Sequence, residues 1–173
     1  MSLPHAILGF LGDGPSTGYD LKKRFDVSVR HFWPADQAQI YRTLSALLSA
    51  GWAEVEGIPQ VSRPSQKRYT RTEAGEAELL RWLRSDLGLP EVREATLVQV
   101  FFAHQLPPDE AIDVLRRQLA AVEAGVAALE ALRRPGPVEG ARRFERLTLE
   151  HGLAMRRAEA LFLRGALADL EAR

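Results

Sequence analysis

Leu3, Ile7, Leu8 and Leu11 recur at the spacing of one helical face, so the chain is predicted to open with a short, largely buried helix. Gly12-Asp-Gly-Pro-Ser-Thr-Gly18 stops it, and Ser16 or Thr17 can cap a second helix whose Leu21 and Phe25 lie four apart on one face. A loop follows through Phe32-Trp33-Pro34, because proline disfavours helix in the residue before it. A third helix starts at Ala35 or Asp36, turns Ile40, Leu44, Leu47 and Leu48 inward, and ends at Gly51, a natural left-handed cap. Trp52-Ala-Glu-Val-Glu alternates apolar and polar residues as a strand does, and Lys67-Arg-Tyr-Thr-Arg is expected to return beside it. Thr72 then caps a fourth helix with Leu79, Leu80 and Leu83 on its buried side.

Leu87-Gly-Leu-Pro90 breaks the pattern and divides the chain into expected domains 1–87 and 88–173. Beyond the break, Leu97, Val98, Phe101 and Phe102 make an apolar helix that Leu106-Pro-Pro108 ends, with Phe101 and Phe102 expected in the core. From Asp109 a long helix carries Ile112, Leu115, Leu119, Val122, Val126 and Leu129 in alternating steps of three and four, the seam of a helix packed lengthwise on another. Arg134-Pro-Gly-Pro137 reads as a hard turn. The last helix, from about Glu139, has two apolar rows. Phe144, Leu147, Ala154, Ala158 and Leu161 form one, interrupted by His151; Leu149, Leu153, Leu163, Leu167 and Leu170 form the other. Two rows on one helix imply two neighbours: the preceding helix and a second chain.

Composition narrows the function classes. With no cysteine there is no disulfide framework and no thiolate metal ligand, as in a reducing cytoplasm. No charge-free apolar run approaches the roughly 18 residues that cross a bilayer, and the first residues lack the basic start of a secretory signal, so a cytoplasmic protein without membrane attachment is expected. The formal net charge is +0, but its distribution is uneven. Gly57 to Thr72 holds Arg63, Lys67, Arg68 and Arg71 with no acidic residue, and Lys22, Lys23 and Arg24 form a second basic knot. A local basic edge on a neutral protein can still hold phosphates.

The loop-joined second and third helices can present the latter to a DNA major groove, which is wide enough to admit an α-helix. With its apolar stripe inward, that helix offers Asp36, Gln37, Gln39, Tyr41, Arg42, Thr43 and Ser45 near its start. Glutamine pairs a donor and an acceptor against base edges, whereas arginine and a tyrosine hydroxyl suit phosphates. The hairpin after it has a basic, proline-kinked tip, Arg63-Pro-Ser-Gln-Lys67-Arg68, suited to the backbone or a narrow minor groove.

Other motifs lead nowhere. Gly14-Pro-Ser16-Thr-Gly18 matches the nucleophile-elbow spacing, but a helix precedes it and no alternating strand–helix units follow, so no enzyme is expected. His5, His31, His104 and His151 lack ligand-like spacing, and no metal or cofactor is expected. For His151, an interface histidine is the default and a pH- or ligand-sensing role the alternative.

Gln39-Ile40-Tyr41-Arg42 with Leu44, Leu47 and Gly51-Trp52 resembles the recognition-helix pattern of the PadR family of transcriptional regulators. Thr17-Gly18-Tyr19-Asp20-Leu21, Lys67-Arg68-Tyr69-Thr70-Arg71-Thr72-Glu73-Ala74-Gly75 and Trp82-Leu83 are similar to further motifs of that family, in the same order, over Leu3 to Leu83. The resemblance implies a mainly α fold: an N-terminal winged helix-turn-helix of three helices and a two-stranded hairpin, then a C-terminal helical dimerisation domain. It implies a homodimer, paired through the C-terminal helices, that binds a palindromic operator in double-stranded DNA, usually as a repressor and with a possible small-molecule effector. By that analogy Tyr19, Tyr41 and Arg42 contact phosphates, Gln37 and Gln39 approach bases, and Arg63, Lys67 and Arg68 serve the wing, while Tyr69 belongs to the hairpin core. Some relatives hold aromatic ligands against tryptophans at the dimer interface. Here Trp33, Trp52 and Trp82 all lie in the N-terminal half, which sets this chain apart. The alternative is a winged helix that docks on proteins rather than DNA, which the neutral net charge favours.

Overall fold

In the computed structural model, which describes residues 2–58, 66–88, 93–133, 136 and 139–172, the opening apolar quartet forms α1 (Leu3–Leu11), with Ile7, Leu8 and Leu11 buried. After a turn come β1 (Ser16–Thr17), α2 (Gly18–Ser28) and α3 (Gln37–Ser49). The hairpin β2 (Ala53–Ile58) and β3 (Gln66–Arg71) and the helix α4 (Glu73–Leu83) follow. The chain clusters into two compact units, Met1–Gly88 and Leu89–Arg173.

Helices α2, α3 and α4 are each fixed at their start by a side chain. The Thr17 hydroxyl accepts from the Asp20 N–H at 3.1 Å, Asp36 accepts from Gln39 N–H at 2.7 Å, and Thr72 accepts from Gly75 N–H at 3.1 Å. The far end of α3 is closed by a Schellman pair, Trp52 N–H to Leu47 C=O (2.9 Å) and Gly51 N–H to Leu48 C=O (3.0 Å), with Gly51 at φ +70°. Gly75 has a different reason to be glycine: a Cβ there would meet the Trp52 carbonyl oxygen at 2.0 Å. That close approach lets α4 lie against the start of the wing. Leu21, Phe25, Ile40, Leu44, Leu47, Tyr69 and Leu79 complete the core around α1.

The structure departs from the sequence pattern in three places here. The sheet has three strands, in the order β1-β3-β2, because Ser16–Thr17 pairs antiparallel with Tyr69 and Arg68. On α4, Leu80 and Leu83 are exposed, and the inward stripe is instead Gly75, Leu79 and the half-buried Trp82, spaced by four and three. Trp82 stacks on His5 of α1 (ring centroids 4.6 Å apart), so the larger ring takes the seam. The basic knot on α2 is largely neutralised internally. Lys22 pairs with Asp26, and Arg24 pairs with Asp13 and donates to the Phe10 carbonyl.

The second unit contains α5 (Ala95–Phe102), a 3-10 turn at Ala103–Gln105, and the long antiparallel pair α6 (Pro108–Ala131) and α7 (Ala141–Glu171). The heptad seam of α6 faces α7: Leu115, Val122 and Leu129 are buried, and Leu149, Leu153, Leu163 and Leu167 meet them from α7. Along one flank runs a ladder of ion pairs at heptad steps: Arg116–Glu171 at 2.7 Å, Glu123–Arg164 at 2.5 Å and Glu130–Arg157 at 2.6 Å. Phe101 and Phe102 are not core. They are 74% and 50% exposed, since α5 buries no residue fully and meets α6 through Val100 and a Gln118-to-Gln99 side-chain hydrogen bond of 2.9 Å. The other row of α7, with Phe144, Leu147 and Leu161, is also exposed, as is His151. Leu170, grouped by spacing with Leu149, Leu153, Leu163 and Leu167, is 42% exposed and does not share their burial. Most of the 134–137 turn and the Leu89–Pro90 part of the break fall outside the described residues. Among those that are described, no helix is long and apolar enough to cross a membrane.

Candidate nucleic-acid interface

Burial of Ile40, Leu44 and Leu47 fixes the rotation of α3 and leaves Gln37, Gln39, Tyr41 and Arg42 exposed. A helix turns about 100° per residue, so the exposed side chains diverge. Gln37 and Tyr41, four apart, share the flank nearest the start of α2. Arg42 points directly away from the core. Gln39, two residues before Tyr41, lies on roughly the opposite flank.

Gln39 is also held. Its Oε1 accepts from the Asp36 N–H at 2.9 Å while its own N–H donates to the Asp36 carboxylate, a reciprocal capping box. The side chain borders an open cleft with Leu3, Phe32, Trp33 and Pro34. The carbonyl end needed for bidentate contact with an adenine is thus occupied, which leaves Gln37 the better-placed amide. The hydroxyls of Thr43 and Ser45 turn back to the Gln39 and Tyr41 carbonyls.

Tyr41 stands against the first turn of α2. A Cβ placed on Gly18 would come within 2.6 Å of its ring, so ring and glycine are in close contact. Beside it, Tyr19 is 54% exposed and carries the Lys23 ammonium 4.5 Å from its ring centroid. Tyr69 is buried beneath, in the hairpin core; burial and then the neighbouring Tyr41 raise its phenol above the ordinary value, so it stays protonated.

The wing joins this group through the short strand missing from the sequence pattern. In register, Thr17 lies opposite Arg68 and Ser16 opposite Tyr69, which brings β3 beside the start of α2. Successive strand side chains alternate faces. Lys67 therefore shares a face with Tyr69, and Arg68 lies on the other, opposite Glu56 of β2. Both cations are exposed, and neither they nor Arg42 form an ion pair among the described residues. Arg71, by contrast, is committed to Glu76 and to the Leu8 carbonyl. Arg63 lies outside the described residues.

The structure thus gathers Tyr19, Lys23 and Tyr41 at the start of α2, with Arg68 opposite Thr17 on the neighbouring strand, Gln37 on the flank of Tyr41, Lys67 on the other face of β3, Arg42 on the exposed crest and Gln39 apart. Lys23 was visible in the sequence only as one of three adjacent cations. The acidic partners of the other two lie four and eleven residues away, where only the folded chain shows which cation each takes. Ser16, the residue of the elbow motif, sits on a strand after all. That strand pairs antiparallel in a small wing sheet, and the hydroxyl donates to the Gly14 carbonyl at 3.4 Å.

A profile described as the transcriptional regulator PadR-like family matches residues 7–81, and one described as virulence activator alpha C-term matches residues 92–171. The chain is 33% identical over 129 residues to the negative transcriptional regulator PadR of Bacillus subtilis, covering 74% of this chain and 71% of that protein. It is 44% identical over 87 residues to a probable transcriptional regulator of Mycobacterium tuberculosis, a match spanning 50% of this chain and 46% of that protein. Among solved structures, Bacillus subtilis PadR in complex with operator DNA superposes with a TM-score of 0.89 at 28% identity, covering 98% of this chain and 99% of that one. The same protein in complex with p-coumaric acid gives 0.80 at 27% identity over 98% and 94%. The Vibrio cholerae virulence activator AphA gives 0.79 at 28% identity over 99% of both chains.

Proposed function

We propose that this chain, which belongs to the PadR-like family of transcriptional regulators and not to a family of enzymes, binds operator DNA as a homodimer and represses transcription until a small molecule releases it. The carrying observation is the outward face of α3. Gln37, Tyr41 and Arg42 stand clear of the core beside a wing that holds two cations without an ion pair among the described residues. In this reading Gln37 approaches base edges; Tyr19, Tyr41 and Arg42 hold phosphates; Lys67 and Arg68, and by the family analogy Arg63, follow the backbone next to the groove. Gln39 orders the start of the recognition helix and reaches bases only by giving up its cap.

The first unit is the DNA-binding domain and the second the dimerisation domain. Pairing uses the exposed row of α7 with Phe101 and Phe102 of α5, which would otherwise leave a large apolar surface in water. A C2 dimer presents two recognition helices to half-sites one helical turn, or a multiple of it, apart. Repression follows the negative regulator of Bacillus subtilis, and the effector follows its complex with p-coumaric acid. A ligand that binds one dimer geometry more tightly than the other shifts the population away from the DNA-competent one.

The test is selection of fragments from the source genome by the purified chain, followed by gel shifts of the selected duplex at fixed salt. Arg42→Ala and Tyr41→Phe are expected to weaken binding several-fold with unchanged thermal melts. Equal affinity for all three proteins would remove this helix face from the DNA, and no retention on any duplex at low salt would favour the protein-docking alternative.

A further inference from the structure

Gly18 opens α2, where glycine is a poor choice for a helix. Its backbone does not demand it: the glycines with positive φ are Gly14, Gly51, Gly88, Gly136 and Gly140 among the described residues, and Gly18 is not one of them. What demands it is space. A Cβ on Gly18 would lie 2.6 Å from Tyr41 Cε1, 2.7 Å from Cζ and 3.0 Å from the hydroxyl oxygen. These are distances at which something must shift, and the ring is the part that can move.

We infer that Gly18 is a positioning residue for DNA binding: its bare α-carbon seats the Tyr41 ring on the first turn of α2 and holds the hydroxyl of the recognition helix at one place. This rests on the reading of α3 as the DNA-facing helix. The seat has walls as well as a floor. Tyr69 lies close enough beneath to feel the Tyr41 phenol, and the Thr17–Arg68 pairing fixes β3 beside Gly18. Three elements therefore meet on one ring, and a methyl group at residue 18 would push that ring toward solvent without breaking any hydrogen bond of the helix.

Two measurements test this. In the free protein, an NMR Overhauser contact between the Gly18 α-protons and the Tyr41 ring is expected, with those α-protons shifted upfield by the ring. Absence of both overturns the inference whatever the DNA does. On a genomic fragment selected by the wild-type protein, Gly18→Ala is expected to weaken binding at least fivefold, toward the level of Tyr41→Ala, with an unchanged or higher melting temperature. In the Tyr41→Ala background, adding Gly18→Ala should change affinity less than twofold, because the seat is empty. Equal losses in both backgrounds, or a Gly18→Ala protein within twofold of wild type while Tyr41→Ala is impaired, would sink the proposal. If Tyr41→Ala itself leaves affinity unchanged, the DNA-facing reading of Tyr41 fails, and Gly18's role in DNA binding with it; the Overhauser contact then reports only whether the ring is seated.

Discussion

Glu78 lies between Arg81, whose guanidinium donates twice to its carboxylate at 2.6 and 2.7 Å, and the His5 imidazole at 3.0 Å. Arg81 first and His5 second lower its pKa from 4.5 to about 2. A carboxylate whose folded pKa is depressed adds stability that is complete above its unfolded value and is lost as pH falls through the folded one. The melting temperature is therefore expected to fall between about pH 4.5 and 2 more steeply in the wild type than in Glu78→Gln. Arg81→Ala should move that fall to higher pH; parallel curves for all three proteins would remove the ion pair from the acid response. The Glu78–Arg81 half of this follows from i,i+3 spacing on one helix; the His5 half does not, since His5 and Glu78 are 73 residues apart. The same limit hid the partner of Arg24, Asp13, which lies before α2, whereas Lys22 and Asp26 are an i,i+4 pair on that helix.

Helix starts and stops were the most readable features, because a cap is a local matter: Thr17, Asp36 and Thr72 each bond a backbone N–H three residues on, and Gly51 closes α3. Asp36→Ala is expected to cost about 1 kcal/mol of unfolding free energy, read from the urea midpoint. Gly75→Ala forces a methyl into the Trp52 carbonyl, and overpacking of this kind costs ~1–3 kcal/mol or more. A midpoint unchanged from wild type would mean that α4 can withdraw from the wing at no cost. Apolar faces were less readable than caps. Leucine at 80 and 83 suits helical spacing as well as Trp82 does, and only the stack on His5 selects the ring. Strand β1 escaped because two residues are too few to show a period.

At the scale of the molecule, the two apolar rows of α7 separate as the pattern implied, one on α6 and one exposed. Phe101 and Phe102 misled for a related reason: a pattern of apolar residues marks surface that must be covered, without saying by which chain. Leu161→Asp is expected to yield a folded monomer in sedimentation, with weakened DNA binding. Leu153→Asp, at a fully buried position, should unfold the second unit. If Leu161→Asp sediments as the wild type does, that row is not where two copies meet. In the proposed reading the wing belongs to this scale too, because a duplex would act on it as a whole field of phosphates. Lys67→Ala with Arg68→Ala should flatten the logarithmic salt dependence of binding by about 0.9 for each phosphate that is no longer neutralised, and an unaltered slope would take the wing off the phosphates.

The rungs joining α6 and α7 carry a further meaning. Exposed pairs of this sort contribute little each, ~0–1 kcal/mol, yet their order of signs is not symmetric. Sliding one helix by seven residues would set Arg116 against Arg164 and Glu130 against Glu150, and would also put Arg156 and Arg146 where Leu163 and Leu153 now stand. Alignment is thus written twice, in the charges of the flank and in the uneven spacing of the leucines between them. The connector between the two helices is thereby relieved of any duty to measure distance, and it can lengthen or shorten from one descendant to the next while the hairpin still zips to the same tooth.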